Sequence, residues 1–287
     1  MSQHSQVLNK SIFAELPYVK ADLTYIVRPK EKPINYAYIP ASATPQRSAT
    51  PDVHTVPIFD GRSIASEFSP DREGFALADY QTAVQDFYDD DEVQRVYYPE
   101  AEQFVKEQTD AVRVVVFDHV VRNAQRSQPG INTIREPGKR VHNDYTANSG
   151  YSRGRWVLNR IGEDNPDALL KNRFGIINVW RAIASPIQES PLAVCDARSI
   201  APTDWVASDL VYPDRVGETY GVTYNSDHQW FYFPLMHRDQ ALLIKCFDSE
   251  EDGRARFSAH SAFDDPTSLA DAPARESIEL RTLVFYE

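Results

Sequence analysis

The sequence predicts a mainly β protein with helices: a double-stranded β-helix (jelly roll) core over 111–287, preceded by an extension over 1–110 whose helices pack on it. Three observations carry this expectation. β-branched and alternating apolar runs dominate after residue 110. Two helix-like segments precede that point. A His-x-Asp pair is followed, after a gap wide enough for several strands, by a lone His and then an Arg-x-Ser.

Taken in chain order, Leu23 to Val27 reads as a short strand closed by prolines, and Ala41 to Asp52, rich in Ser, Thr and Pro, as an exposed loop. Phe75 to Tyr88 and Glu92 to Gln108 are expected helices on either side of Asp89-Asp90-Asp91. That acidic run reads as a solvated helix boundary, because hard-cation loops need further spaced oxygens. Arg113 to Val121 is a β-branched strand. Ser127 to Lys139, with Pro129-Gly130 and Pro137-Gly138, is a loop leading straight to His142, placed where a lid would sit. Trp156 to Ile161 and Asp167 to Asn172 read as helical, making 145–175 a helical insertion within the jelly roll. Strands then follow at Phe174 to Trp180, Leu192 to Cys195, Val222 to Phe233 and Ala241 to Phe247, with Arg256 to His260 leading into the distal His. In Ile278 to Tyr286, alternation puts Ile278, Leu280, Thr282, Val284 and Tyr286 on one side and Glu279, Arg281, Leu283 and Phe285 on the other.

At 287 residues the chain suits one structural domain, and its formal charge of −12 argues against nucleic acid or an anionic membrane as partner. Cys195 and Cys246 lie in apolar strand-like runs without paired spacing, so both are expected as buried free thiols in a reducing cytoplasm. The first twenty residues lack the apolar stretch of a signal peptide, and no 18-residue apolar run offers a membrane span.

The chemistry lies in spacing. Residues i and i+2 of a strand point the same way, so His142 and Asp144 can grip one ion together. Two imidazoles and one carboxylate make the facial triad of non-haem Fe(II) oxygenases, with His260 as the third ligand. A second triplet, His237-Arg238-Asp239, competes on paper. Four intervening strands with turns need on the order of 40 residues. Asp144 to His260 leaves 116 and Asp239 to His260 only 21, so the second triplet is read as a turn. His228 rivals His260, but only His260 is followed by an Arg-x-Ser. There, Arg275 and Ser277 share a strand face, and a guanidinium fork with a nearby hydroxyl suits the far carboxylate of 2-oxoglutarate. Arg281 lies on the same face, roughly 20 Å further along, and is assigned to Glu279. Tyr224, His228, Trp230 and Tyr232 could line a pocket for an apolar substrate or could simply pack the sheet. Arg181 either pairs with Asp196 or touches the ligands.

The stretches HNDYT (142–146), NVWRAI (178–183), PLAVCDARSI (191–200), ETYGVTYNSDHQWFYFP (218–234), DQALLIKCFDS (239–249), HSAFDDP (260–266) and ARESIELRTLVFY (274–286) resemble the fungal hydroxylase/desaturase family. That family also takes in bacterial cephalosporin methoxylase-related proteins, gibberellin desaturases and fungal endoperoxide-forming enzymes. The resemblance covers roughly residues 110 to 287, with the blocks in the family's order; Gln240 stands where the family usually has Glu. It implies a dioxygenase using Fe(II), 2-oxoglutarate and O2, with His142, Asp144 and His260 as ligands and Arg275 as cosubstrate anchor. It also implies hydroxylation, desaturation or endoperoxidation of a small terpenoid- or polyketide-like intermediate of secondary metabolism. The alternative is a non-oxidative jelly-roll isomerase or a metal-holding small-molecule binding module, which would have no use for Arg275-Glu276-Ser277. A homodimer is left open.

Overall fold

Two twisted sheets face each other across an apolar layer in the computed structural model, which describes residues 15–38, 45–127, 134–184 and 186–287. The strands are β1 (Tyr18–Ile26), β2 (Ile34–Tyr36), β3 (Pro51–Asp60), β4 (Phe75–Asp79), β5 (Arg113–Asn123), β6 (Ile134–Arg135), β7 (His142–Asn143) and β8 (Phe174–Ala182). They continue with β9 (Leu192–Cys195), β10 (Trp205–Val211), β11 (Val216–Val222), β12 (Trp230–Tyr232), β13 (Gln240–Asp248), β14 (His260–Ala262) and β15 (Glu276–Phe285). One sheet runs β1-β3-β12-β9-β14-β7-β11-β10-β2, the other β4-β13-β8-β15-β5-β6.

Alternation decides what each face buries. Phe174, Ile176 and Trp180 of β8 join Leu283 and Phe285 of β15, Leu242 and Ile244 of β13, and Val194 and Phe231 of the opposite sheet in the inter-sheet core. Each such side chain contributes roughly 1.5–3 kcal/mol on burial. Ile177, Val179, Leu243, Ile278 and Leu280 point out of the smaller sheet and are covered by α1 (Tyr98–Thr109) through Ala101, Phe104 and Val105. Strand β8 is thus buried at every position, which is why it reads as an unbroken apolar run. The larger sheet curls until Val141, just before β7, donates to Thr24 O of β1 at 2.9 Å. The curl encloses a third cluster that includes Leu23, Tyr25, Ile58, Cys195 and Trp230.

Three sequence expectations need correction. Phe75–Asp79 is an edge strand paired with β13, and no helix covers 75–88. The run Phe-Ala-Leu-Ala-Asp suits either element, and pairing with a buried strand decides. Residue 110 is not a seam, because β1 and β3 extend the larger sheet and β4 edges the smaller one. The expected second helix arrives as Asp90–Glu92, a π turn at Val93–Tyr97, and α1. Asp89 caps its start, accepting from Asp91 N and Glu92 N, as the boundary reading of the acidic run requires. Strands β2, β3, β6, β10 and β11 were not anticipated. Parts of the expected loops at Ala41 to Asp52 and Ser127 to Lys139, namely 41–44 and 128–133, lie outside the described residues, and with them the lid.

Candidate metal and cosubstrate site

His142 on β7 is paired with His260 on β14, and His260 with Val194 on β9. Facing residues of neighbouring strands share a sheet face, so both imidazoles look toward the inter-sheet core that Val194 joins. Asp144 follows two residues after His142. It is fixed from behind by α2 (Ala147–Arg160), whose cap Thr146 accepts from Ser149 N while Ser149 Oγ accepts from Thr146 N. Ser149 Oγ in turn donates to Glu218 O at 2.7 Å, tying the helix start to β11.

One ligand atom from each of His142, Asp144 and His260 lies within 4.8 Å of the others. The tautomers are arranged for coordination. His142 Nδ1–H donates to Arg140 O (2.7 Å) and His260 Nδ1–H to Ser258 O (3.1 Å), leaving both Nε2 lone pairs free. Asp144 Oδ2 accepts from Asn178 Nδ2 (2.9 Å) and Arg281 Nε (3.0 Å), which turns Oδ1 inward, 3.6 Å from His142 Nε2. His260 Nε2 is buried without a partner, a costly arrangement unless something binds it. Burial, then His142 beside it, pushes His260 down to about 4, so it is neutral at ordinary pH. Burial would raise the Asp144 carboxyl, but Arg281, His142 and His260 outweigh it and hold it well below the usual carboxylate range. Two imidazoles and a carboxylate are the donor set a divalent iron needs.

Along β15 the inner face continues from Arg281 through Glu279 to Ser277, with Arg275 just ahead of the strand. Facing them on β8 are Asn178, Trp180 and Ala182. Arg275 is 2% exposed; its guanidinium lies 5.6 Å from the Trp180 ring centroid, and Nη1 donates to Ser190 O at 2.6 Å. Its Nε and the Ser277 hydroxyl are buried without a protein partner. These are the two groups that the spacing assigns to a carboxylate.

Other expected residues go elsewhere. Trp230 pairs with Cys195, not Val194, so it points to the back of the sheet that carries the histidines. There its Nε1 donates to Tyr25 Oη (2.7 Å), His228 stacks on Tyr25 and bonds Asp204 Oδ2 (3.2 Å), and Tyr224 stacks on His54. The pocket reading for Tyr224, His228 and Trp230 is therefore replaced by packing. Arg181 points out of the smaller sheet, where Nη2 donates to Tyr80 O and its guanidinium faces Tyr80, Phe87 and Tyr97; Asp196 pairs instead with Arg198. His237-Arg238-Asp239 forms the turn before β13.

Asn178 and Arg281 as partners of Asp144 were missed. Their signals were present: a polar residue in an apolar strand, and Arg281 on Arg275's face. Arg281 does meet Glu279 (3.1 Å), as expected, but also Asp118 and Asp144.

A His-Asp-His cluster inside a jelly roll, with an Arg-x-Ser on the adjoining sheet, defines the class of Fe(II)/2-oxoglutarate-dependent dioxygenases. Comparison with known proteins agrees. A family model described as Oxidoreductase/YMDC permease-like domain matches residues 23–285. Among the described residues no helix is long and apolar enough to cross a membrane. The hydroxylase/desaturase efuI of Hormonema carpetanum is 36% identical over 254 residues, 81% of this chain and 83% of that protein. The Fe(II)/2-oxoglutarate-dependent dioxygenase nvfI of Aspergillus novofumigatus is 30% identical over 283 residues, 93% of this chain and 91% of that protein. A solved structure of the iron and alpha-ketoglutarate-dependent endoperoxidase NvfI, in a different conformation, matches with a TM-score of 0.84 at 28% identity, covering 93% of this chain and 98% of that one. The chain belongs to the fungal hydroxylase/desaturase family of Fe(II)/2-oxoglutarate-dependent dioxygenases. Its cofactors are Fe(II), 2-oxoglutarate and O2.

Proposed function

We propose that this dioxygenase oxidises an unactivated C–H bond of a small apolar natural-product intermediate, terpenoid- or polyketide-like, in secondary metabolism. In this reading His142, Asp144 and His260 hold Fe(II), while Arg275 and Ser277 hold the distal carboxylate of 2-oxoglutarate. One observation carries it: three ligand atoms within 4.8 Å of one another, beside a buried Arg275 Nε and Ser277 Oγ that have no protein partner. The chemistry supplied there is O2-dependent oxidation coupled to decarboxylation of 2-oxoglutarate to succinate. The chain's own part is positional. Asn178 and Arg281 orient Asp144, Arg140 O and Ser258 O fix the imidazole tautomers, and the inter-sheet core excludes water. Hydroxylation, desaturation and endoperoxidation then differ by where the substrate carbon is held, to within about an ångström. The buried thiols of Cys195 and Cys246 suit action in a reducing cytoplasm.

Anaerobic addition of Fe(II) and then 2-oxoglutarate should produce a weak visible charge-transfer absorption; none in the intact protein would overturn the reading. Incubation with intermediates of the neighbouring gene set, followed by mass spectrometry, then separates gain of an oxygen atom, loss of two hydrogens and gain of O2.

A further inference from the structure

The residue facing Ser277 across the sheet is Arg122 of β5, and beyond it stands Arg135 of β6. Directly facing residues have Cβ atoms roughly 5 Å apart on one face. Arg122 therefore projects beside the Ser277 hydroxyl, on the inner face that also carries Glu279 and Arg281. Its hydrogen bond to protein runs from Nη1 to a neutral acceptor, Glu136 O, at 2.9 Å. Among the described residues no carboxylate lies within ion-pair distance of Arg122 or of Arg275. The nearby acids are engaged: Glu279 accepts from Arg281, and Glu189 from the Arg275 backbone N–H and the Ser190 hydroxyl. Burial, then the Arg122 charge, pushes the Arg275 guanidinium down to about 9, so the two cations stand close enough to repel. Glu279 and Glu189 offset part of that repulsion, and an anion placed between the two guanidiniums would relieve the rest.

We propose that Arg122 is a second arm of the cosubstrate site, so that its guanidinium, the Ser277 hydroxyl and the Arg275 Nε–H cradle the distal carboxylate of 2-oxoglutarate together. This rests on the function proposed above. Arg275 has Nη1 tied to Ser190 O, which leaves its Nε edge for a ligand. A carboxylate offers about four acceptor sites, so a hydroxyl and a second guanidinium can share it with that edge. A cradle with two cations also selects a dicarboxylic oxo acid over a monocarboxylic one.

The test uses the full chain loaded with Fe(II) under anaerobic conditions, titrated with 2-oxoglutarate and with 2-oxovalerate, the same carbon chain without the distal carboxylate. Binding is read by calorimetry and by the charge-transfer absorption. Arg122→Met should weaken 2-oxoglutarate roughly 10- to 100-fold, the scale of a lost charged hydrogen bond, and leave 2-oxovalerate unchanged. Arg122→Lys, which keeps the charge and most of the packing, should restore part of the affinity. Equal weakening of both oxo acids would show a merely structural role and overturn the proposal. So would unchanged 2-oxoglutarate affinity in Arg122→Met alongside its loss in Arg275→Met, which would hand Arg122 to the substrate while leaving the proposed function intact. If the unmutated protein binds Fe(II) but neither oxo acid, the underlying function fails and takes Arg122's role with it.

Discussion

Asp144, a proposed iron ligand, shows how the groups behind a carboxylate set its orientation. Arg281 and Asn178 both hold Oδ2, so Oδ1 is oriented before any ion arrives. Removing such outer partners typically costs 10- to 100-fold in metal affinity. Arg281→Met should therefore weaken Fe(II) binding by about that factor, measured by anaerobic titration against a competing chelator; an affinity equal to that of the intact protein would refute the role. His228 makes a separate, pH-dependent prediction. Burial lowers its pKa in the folded protein, with Asp204 only partly offsetting it. The unfolded chain thus binds the proton more readily, so this stability is complete above an unfolded pKa of about 6.5 and is lost as pH falls below it. Between about pH 7 and pH 5 the denaturation midpoint should fall more steeply for the native chain than for His228→Asn. Equal slopes would sink that account. The His-x-Asp pair was legible in the sequence because strand periodicity alone aligns its side chains. Trp230 was not, because its face depends on pairing with Cys195 and not with Val194.

At the scale of elements, α2 begins three residues after Asp144, and its cap ties the chain there to β11. A Cβ built on Gly150 would lie only 2.2 Å from Cδ2 of the Phe247 ring of β13, so the helix rests on that strand through a bare backbone. Overpacking of this kind costs roughly 1–3 kcal/mol, and each kcal/mol moves Tm by about 2–4 °C in a chain somewhat smaller than this one. Gly150→Val should lower Tm by about 5 °C in a thermal melt and weaken Fe(II) binding with it. Ser152→Val, on the exposed side of the same helix, is the control and should change Tm little. Long strands such as β15, with its alternation, and β8, an unbroken apolar run, were visible in the sequence, and the observed ends lie within two residues of the expected ones. Phe75–Asp79 was misread because five residues carry too little periodicity to separate helix from strand, and the edge of β13 made the choice.

For the whole molecule, the proposed metal site spans the two sheets. His142 and His260 belong to the larger sheet, and Asp144 is anchored to the smaller one through Asn178 and Arg281. An ion binding all three ties the sheets together and favours the folded state. At a hundred times its dissociation constant a ligand adds about 2.7 kcal/mol, or roughly 5–10 °C in Tm. Anaerobic Fe(II) should raise the melting temperature by that amount, 2-oxoglutarate should raise it further only when iron is present, and Asp144→Ala should abolish both shifts. A rise with iron in Asp144→Ala equal to that of the intact protein would place the metal elsewhere.

The sequence by itself determined the apolar runs of β8 and β13, the alternation of β15, the shared face of Arg275, Ser277 and Arg281, and which His-x-Asp had room for a third ligand, because these follow from strand composition, a two-residue period and chain length. Only the tertiary structure decided that Arg281 and Asn178 orient Asp144, that Arg122 faces Ser277, and that Tyr224, His228 and Trp230 sit behind the ligand sheet. Those outcomes depend on which strands lie side by side and in what register. Partners such as β5 and β15 are far apart along the chain, so no local pattern could carry that information.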